Sequence, residues 1–257
     1  MAYIKMIILD LDGTLIRSDK SISERTLKAL RQCQNRGIIV VITTARFWIG
    51  AEKYIRMIHP DYEITTDGTM IHRGEDMVYS CGMDLQTTHQ LIRMIQAADA
   101  HTEITAAVDK RVYWNSLHIA ESEKLHKAIY CDYHSPLTEP ACKIAAFLPD
   151  GETAGHLADA CKLKLISYRD ENFYAYISPD AGKLQAIRAL ASSLHISMEQ
   201  LAAFGDDEND LEMLKACGRG IAVANGLESV KAAADEVCES NDSDGVAKWL
   251  ETNVLGL

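Results

Sequence analysis

The run Ile4-Lys5-Met6-Ile7-Ile8-Leu9-Asp10-Leu11-Asp12-Gly13-Thr14 decides how the rest of this 257-residue chain is read. Residues 4–9 are apolar apart from Lys5 and end at acids and a glycine. That suits a buried parallel strand stopping in a loop. Asp10 and Asp12 are two apart, so on an extended chain they point the same way. They stand at the carboxyl end of the strand, where open α/β sheets bind ligands. Two acids there can serve one site, one attacking and one trading protons with a leaving group. Gly13 permits a tight turn and a close approach of backbone to an anion. An acidic turn after a strand would show the same letters without any chemistry, so the surrounding elements must decide.

Outward from this run, Ser23 caps a helix reaching residue 36, with Gly37 as its stop. Residues 38–42 form a second buried strand, followed by Thr43-Thr44. A helix over 47–58 ends before Pro60. The alternation resumes late in the chain, with helices over 183–194, 207–216, 227–233 and 246–250 and strands over 201–204 and 220–224. This order predicts an α/β fold with a parallel sheet and helices on both faces. The middle differs. It has helices over 84–98 and 151–162 and strands over 103–108, 143–148, 163–168 and 173–177, punctuated by Pro136, Pro140, Pro149 and Pro179. The expected division is a core of residues 1–80 and 181–257 with an α+β insert of residues 81–180.

Three further elements could join Asp10 and Asp12. Gly205-Asp206-Asp207-Glu208-Asn209-Asp210 follows an apolar run, and its carboxylates offer the hard oxygens that magnesium takes. Helix capping explains the same acids equally well. Thr44 ends the second strand, where a hydroxyl can hydrogen-bond a phosphate oxygen. Lys183 opens a helix at the end that prefers anions, a small cost that hints at neutralising a phosphate or carboxylate. All four elements fall at strand ends or helix starts, so they can gather on one rim of the sheet.

Composition bounds the partners. The apolar share of 47% is ordinary, and the net charge is −11. A chain this acidic is a poor match for nucleic acid or an anionic membrane, although a bound cation can reverse the field locally. The seven cysteines are odd in number and show no metal-site spacing, which suggests reduced thiols in a cytoplasmic protein. The N-terminus lacks the pattern of a signal peptide, and no apolar run is long enough for a membrane span.

The motifs together resemble the haloacid dehalogenase superfamily of phosphatases, in its Cof-type group with a large α/β cap inserted into a Rossmann-like core. Asp10-Leu11-Asp12-Gly13-Thr14 resembles the first motif. Thr44-Ala45-Arg46 stands where the group has Thr-Gly-Arg, Lys183 is similar to the third motif, and Gly205–Asp210 to the fourth. Val223-Ala224-Asn225-Gly226 and Asn241-Asp242-Ser243-Asp244-Gly245-Val246 resemble the closing segments. The resemblance implies that Asp10 attacks phosphorus to form an aspartyl-phosphate. Asp12 would protonate the leaving alcohol and then activate water. Thr44, Ala45, Lys183 and Asn209 would contact the phosphoryl group. Asp10, Asp206 and the backbone carbonyl of Asp12 would bind magnesium, with Asp210 in support. The implied partner is a small phosphorylated metabolite, a sugar phosphate or a phosphorylated cofactor, and the assembly a monomer or homodimer. A phosphosugar mutase and a non-catalytic phosphometabolite sensor are the alternatives. Asp67-Gly68 departs from the group's Asn-Gly. If the Asp67 carboxylate faces the pocket, it needs a partner, because it cannot donate to phosphate. Cap contacts are expected among Arg111, Tyr113, Trp114, Asn115, His118 and Arg169.

Overall fold

The computed structural model describes residues 3–122, 125–168 and 172–257. The chain begins with β1 (Met6–Asp10), α1 (Glu24–Asn35), β2 (Ile39–Thr43), α2 (Trp48–Ile58) and β3 (Tyr62–Thr65). A hairpin of β4 (Met70–Arg73) and β5 (Asp76–Ser80) follows, then α3 (Leu85–Ala98). Next come β6 (Ile104–Val108), β7 (Arg111–Trp114), β8 (Ile129–Tyr130), β9 (Lys143–Phe147), α4 (Gly151–Cys161), β10 (Lys164–Ser167) and β11 (Phe173–Ile177). The chain closes with α5 (Lys183–Ser193), β12 (Leu201–Gly205), α6 (Leu211–Ala216), β13 (Arg219–Val223), α7 (Glu228–Ala233), β14 (Glu236–Cys238) and α8 (Gly245–Leu250).

The first sheet has eight strands in the order β14-β13-β12-β1-β2-β3-β4-β5. Pairing is parallel from β14 to β3 and antiparallel from β3 to β5. β1 lies near the centre and every one of its residues is buried, as a continuous apolar strand requires. Its alternate side chains feed two cores. Ile7 and Leu9 pack with α1, α2 and α8, where Trp249 meets Phe204 edge-on at 5.1 Å. Met6 and Ile8 pack with α5, α6 and α7 on the other face.

The second sheet has six strands in the order β10-β11-β9-β6-β7-β8 and lies between β5 and α5 in sequence. One of its faces carries Ile104, Ala106, Ile144, Ala146, Tyr174 and Tyr176 against α3 and α4. Period-two alternation sends Thr105, Ala107, Lys143, Ala145, Phe147 and Phe173 to the opposite face. That face turns toward the first sheet, since Ala107 packs with Met70 and Phe47.

The fold is the expected α/β core with an α+β insert, and β3, β7, β8 and β14 are strands beyond those expected. The core sheet is mixed, because the β4–β5 hairpin extends it antiparallel beyond β3. The helix expected over 207–216 opens with a 3₁₀ turn, Glu208–Asp210, that runs on into the short α6. Asp210 closes a capping box at this start: its carboxylate accepts from the amides of Asp206 and Asp207. No helix among the described residues is long and apolar enough to cross a membrane.

Candidate active site

The carboxyl ends of β1, β2 and β12 and the start of α5 converge on one point. Asp10 is the last residue of β1 and is buried. Lys183 is the first residue of α5 and is 5% exposed. Its ammonium donates to Asp10 Oδ1 at 2.6 Å and to Asp210 Oδ1 at 2.7 Å. Burial works against the charge of Lys183, but the two carboxylates override it and hold the ammonium above its ordinary pKa. Asp206 follows β12, and its carboxylate accepts from Thr14 Oγ1 at 2.8 Å. One carboxylate oxygen from each of Asp10, Asp206 and Asp210 lies within 4.8 Å of the others.

This cluster carries more negative charge than Lys183 neutralises. Burial pushes the Asp10 carboxyl well above the ordinary carboxylate range, with Lys183 opposing and Asp210 and Asp206 adding to the rise. Burial likewise pushes Asp206 up to about 6. Hard oxygen donors short of positive charge are what a divalent magnesium ion takes, so the residues present fit one. Gly13 is part of the fit. Its φ is +80°, and a Cβ there would lie 2.2 Å from Asp206 Oδ2, so a side chain would displace that acid.

Asp12 stands apart from the trio. Its side chain is half-exposed, and Arg46 clamps both oxygens, through Nε at 2.6 Å and Nη2 at 2.5 Å. Thr44 is buried just beyond β2, and its hydroxyl accepts from the amide of Arg46 at 3.1 Å. Ala45 follows it, and its carbonyl accepts from Lys143 Nζ at 3.1 Å. Asn209 is exposed on the 208–210 turn.

The sequence matches the haloacid dehalogenase-like hydrolases over residues 7–250. The chain belongs to that family. As a haloacid dehalogenase-like hydrolase of the Cof type it is a phosphatase. It is 26% identical to a 5-amino-6-(5-phospho-D-ribitylamino)uracil phosphatase of Bacillus subtilis, with 96% of each chain covered. It is 28% identical to the phosphoglycolate phosphatase of Archaeoglobus fulgidus, covering 98% of this chain and 97% of that one. The fold is similar to that of a haloacid dehalogenase-like hydrolase from Bacteroides thetaiotaomicron, at a TM-score of 0.85, 25% identity and coverage of 97% and 99%.

In this hydrolase Asp67 is buried and does face another charge. Lys143 of β9 donates to Asp67 Oδ2 at 2.5 Å and to Tyr168 Oη at 2.6 Å. Thr66, Asp67 and Gly68 all have positive φ, a left-handed turn that is uncommon for non-glycine residues. Gly68 is required there, because its Cβ would lie 2.3 Å from the Gly182 backbone beside Lys183.

Of the expected cap contacts, Trp114 lines a cavity of about 690 Å³ that also reaches Asp12, Ala45 and Arg46. Arg111 and Tyr113 bond one another, with Arg111 paired to exposed Glu139. Asn115 is used structurally, bonding Ile104 N and Thr102 O across the strand end. His118 is exposed beside Glu121, and Arg169 lies outside the described residues. Sequence reasoning missed Phe47, Lys143, Phe147, Tyr168 and Phe173, which share the cavity wall. Alternation along residues 143–147 carried the signal: Ile144 and Ala146 are core, which leaves Lys143 and Phe147 on the opposite face. A second cavity, of about 650 Å³, opens beside Asp12 and Arg46 and is lined by Lys20, Lys53, Arg56 and Lys127, with Glu52 paired to the last two.

Proposed function

We propose that this chain is a magnesium-dependent phosphatase that hydrolyses a small phosphorylated metabolite through an aspartyl-phosphate on Asp10. The observation that carries the reading is the buried Lys183 ammonium between Asp10 and Asp210, with Asp206 within reach of both acids. Residues 1–80 and 181–257 form the catalytic core in this reading, and residues 81–180 the cap.

Asp10 attacks phosphorus with a carboxylate oxygen, and the bond to the leaving oxygen breaks. Asp12 supplies the proton to that oxygen. Water then attacks the phosphorus of the acyl phosphate, Asp12 takes its proton, and Asp10 is freed with inorganic phosphate. Arg46 holds both Asp12 oxygens, so it must yield when Asp12 donates in the first step. Thr44, the Ala45 amide and Lys183 hold the phosphoryl oxygens, with Asn209 at the edge of the site. Asp10, Asp206 and the Asp12 carbonyl would bind magnesium, which supplies positive charge against the developing phosphoryl charge. Asp210 supports them by orienting Lys183 and tying down the amides of Asp206 and Asp207.

The test is phosphate release from a panel of phosphorylated metabolites, with magnesium or with chelator, for the wild type, Asp10→Asn and Asp12→Asn. Release should need the cation, and Asp10→Asn should lower turnover by about 10⁴-fold or more. Turnover unchanged in Asp10→Asn, or in excess chelator, refutes the reading.

A further inference from the structure

Two loops of the site come from distant parts of the chain, and one turn ties them together. The first loop, residues 11–16 after β1, carries Asp12 and Gly13. The second begins at Asp206, just after β12. The turn is Asn225-Gly226-Leu227, between β13 and α7. Asn225 Nδ2 donates to the Gly13 carbonyl at 2.7 Å, across 212 residues of sequence. The Leu227 amide donates to the Asp206 carbonyl at 2.9 Å. Thr14, next to Gly13, donates from Oγ1 to Asp206 Oδ1 at 2.8 Å. These three bonds close a ring that runs from the turn through Gly13 and Thr14 to Asp206 and back.

Only one orientation of the Asn225 amide satisfies both of its neighbours. A carbonyl accepts and a backbone amide donates, so Nδ2 faces Gly13 while Oδ1 accepts from the Asn241 amide at 3.0 Å. Asn241 is held in turn. Its Nδ2 donates to the Ile16 carbonyl at 2.8 Å, at the far end of the first loop, and its Oδ1 accepts from the Asp242 amide at 2.9 Å. Gly226 keeps the turn close to the site, since a Cβ there would lie 3.0 Å from both Cα and the carbonyl oxygen of Asp206. Asparagine is common in any turn after a strand. A turn alone does not require its side chain to reach Gly13.

The position of Gly13 gives that reach its consequence. The peptide before it bears the Asp12 carbonyl, and the residue after it is Thr14. We propose that Asn225 is a positioning residue for the cation. By holding the Gly13 carbonyl it fixes the Asp12 carbonyl on one side and, through Thr14, the Asp206 carboxylate on the other. The inference rests on the phosphatase reading, in which those two groups hold magnesium, and adds a residue from outside the acid trio. Groups that orient metal ligands without touching the metal govern its affinity. Asn225 is exposed, so its loss disturbs the core little.

The experiment titrates the metal-free protein with manganese(II), whose free ion gives an electron paramagnetic resonance signal that the bound ion loses, and then competes it with magnesium. Asn225→Ala should bind both ions about 10–100-fold more weakly than the wild type. Asn225→Leu, which keeps bulk but lacks the donor, should match it. The metal-free thermal midpoint should move by less than about 4 °C in either variant. Asp242→Ala cuts the ties from Ser18 to the same closing segment and leaves Gly13 alone, so its affinity should stay within about twofold of the wild type. With acetyl phosphate as substrate, excess magnesium should restore most of the turnover of Asn225→Ala. Unchanged manganese affinity in Asn225→Ala, or an equal loss in Asp242→Ala, overturns the inference, as does a loss of turnover that excess magnesium leaves in place. A wild type that binds manganese yet releases no phosphate sinks the phosphatase reading instead, and the binding data still decide the role of Asn225.

Discussion

Replacing Lys143 with methionine should damage the protein far more than replacing both Lys143 and its partner. The Lys143 and Asp67 side chains are 3% and 8% exposed, and their charged atoms are 2.5 Å apart. The remaining lysine donors go to Ala45 O and Tyr168 Oη. Lys143→Met keeps the stem's volume and strands a buried carboxylate that still accepts from the Tyr168 hydroxyl at 3.3 Å. Removing one member of a buried pair costs about 3–5 kcal/mol. At roughly 2–4 °C per kcal/mol for a chain of this size, the thermal midpoint falls by roughly 6–20 °C. Asp67→Asn is milder, at about 1–3 kcal/mol, because its amide oxygen still accepts from the ammonium. The double variant removes both charges and should lie within about 1 kcal/mol of Asp67→Asn, giving a coupling of about 2 kcal/mol or more. Urea unfolding followed by tryptophan fluorescence measures all four corners of the cycle. A coupling below about 0.5 kcal/mol would show that the two residues act independently, and the account of Asp67 would be wrong.

Gly13→Ala should lower kcat/KM by about 100-fold or more, since a Cβ 2.2 Å from Asp206 Oδ2 must move that acid. A magnesium titration of the same variant should show weaker saturation, and unchanged kinetics would argue against the packing. Glu63 gives a pH test. Burial pushes its carboxyl up to about 7, with Lys110 opposing and Glu75 adding, and Oε2 has no hydrogen-bond partner. The folded chain therefore holds a proton that the unfolded chain releases, so wild-type stability falls as pH rises from about 4.5 to about 7. Glu63→Gln should remove this slope and gain about 1–2 kcal/mol at pH 8 after allowance for solvent screening, with little gain at pH 5. Parallel pH–stability curves for the two proteins would contradict it. Finally, kcat/KM should fall as salt rises, because Lys20, Lys53, Arg56 and Lys127 line the mouth beside Asp12. A flat salt profile between low and physiological ionic strength would refute a steering role.

The parts of this fold that were legible share a physical cause. β1, β2 and β12 are buried on both faces, so their apolar runs announce them. β3 was not legible, because Glu63 sits inside it and its alternation is broken. The β4–β5 hairpin was hidden by buried His72 and by a turn whose Thr66 and Asp67 adopt a conformation expected of glycine. The acids of the site were legible because local chemistry at strand ends marks them. The burial of Lys183 and the pairing of Asp67 with a lysine 76 residues away were not, since both depend on how distant strands stack. The cap wall was half legible: Trp114 stood out by type, while Phe147 and Phe173 show only through strand register.

The lysine- and arginine-lined mouth has a consequence for what reaches the site. The chain as a whole carries a net charge of −11, yet this opening presents Lys20, Arg46, Lys53, Arg56 and Lys127 against two acids, Asp12 and Glu52. At physiological ionic strength a charge feels only its surroundings within about 8 Å. A small dianion drifting past the opening therefore meets a positive object. A long polyanion spans many such lengths and meets the negative one. The charge nearest the opening is thus opposite in sign to that of the chain as a whole, so a short anion and a long one meet different fields there.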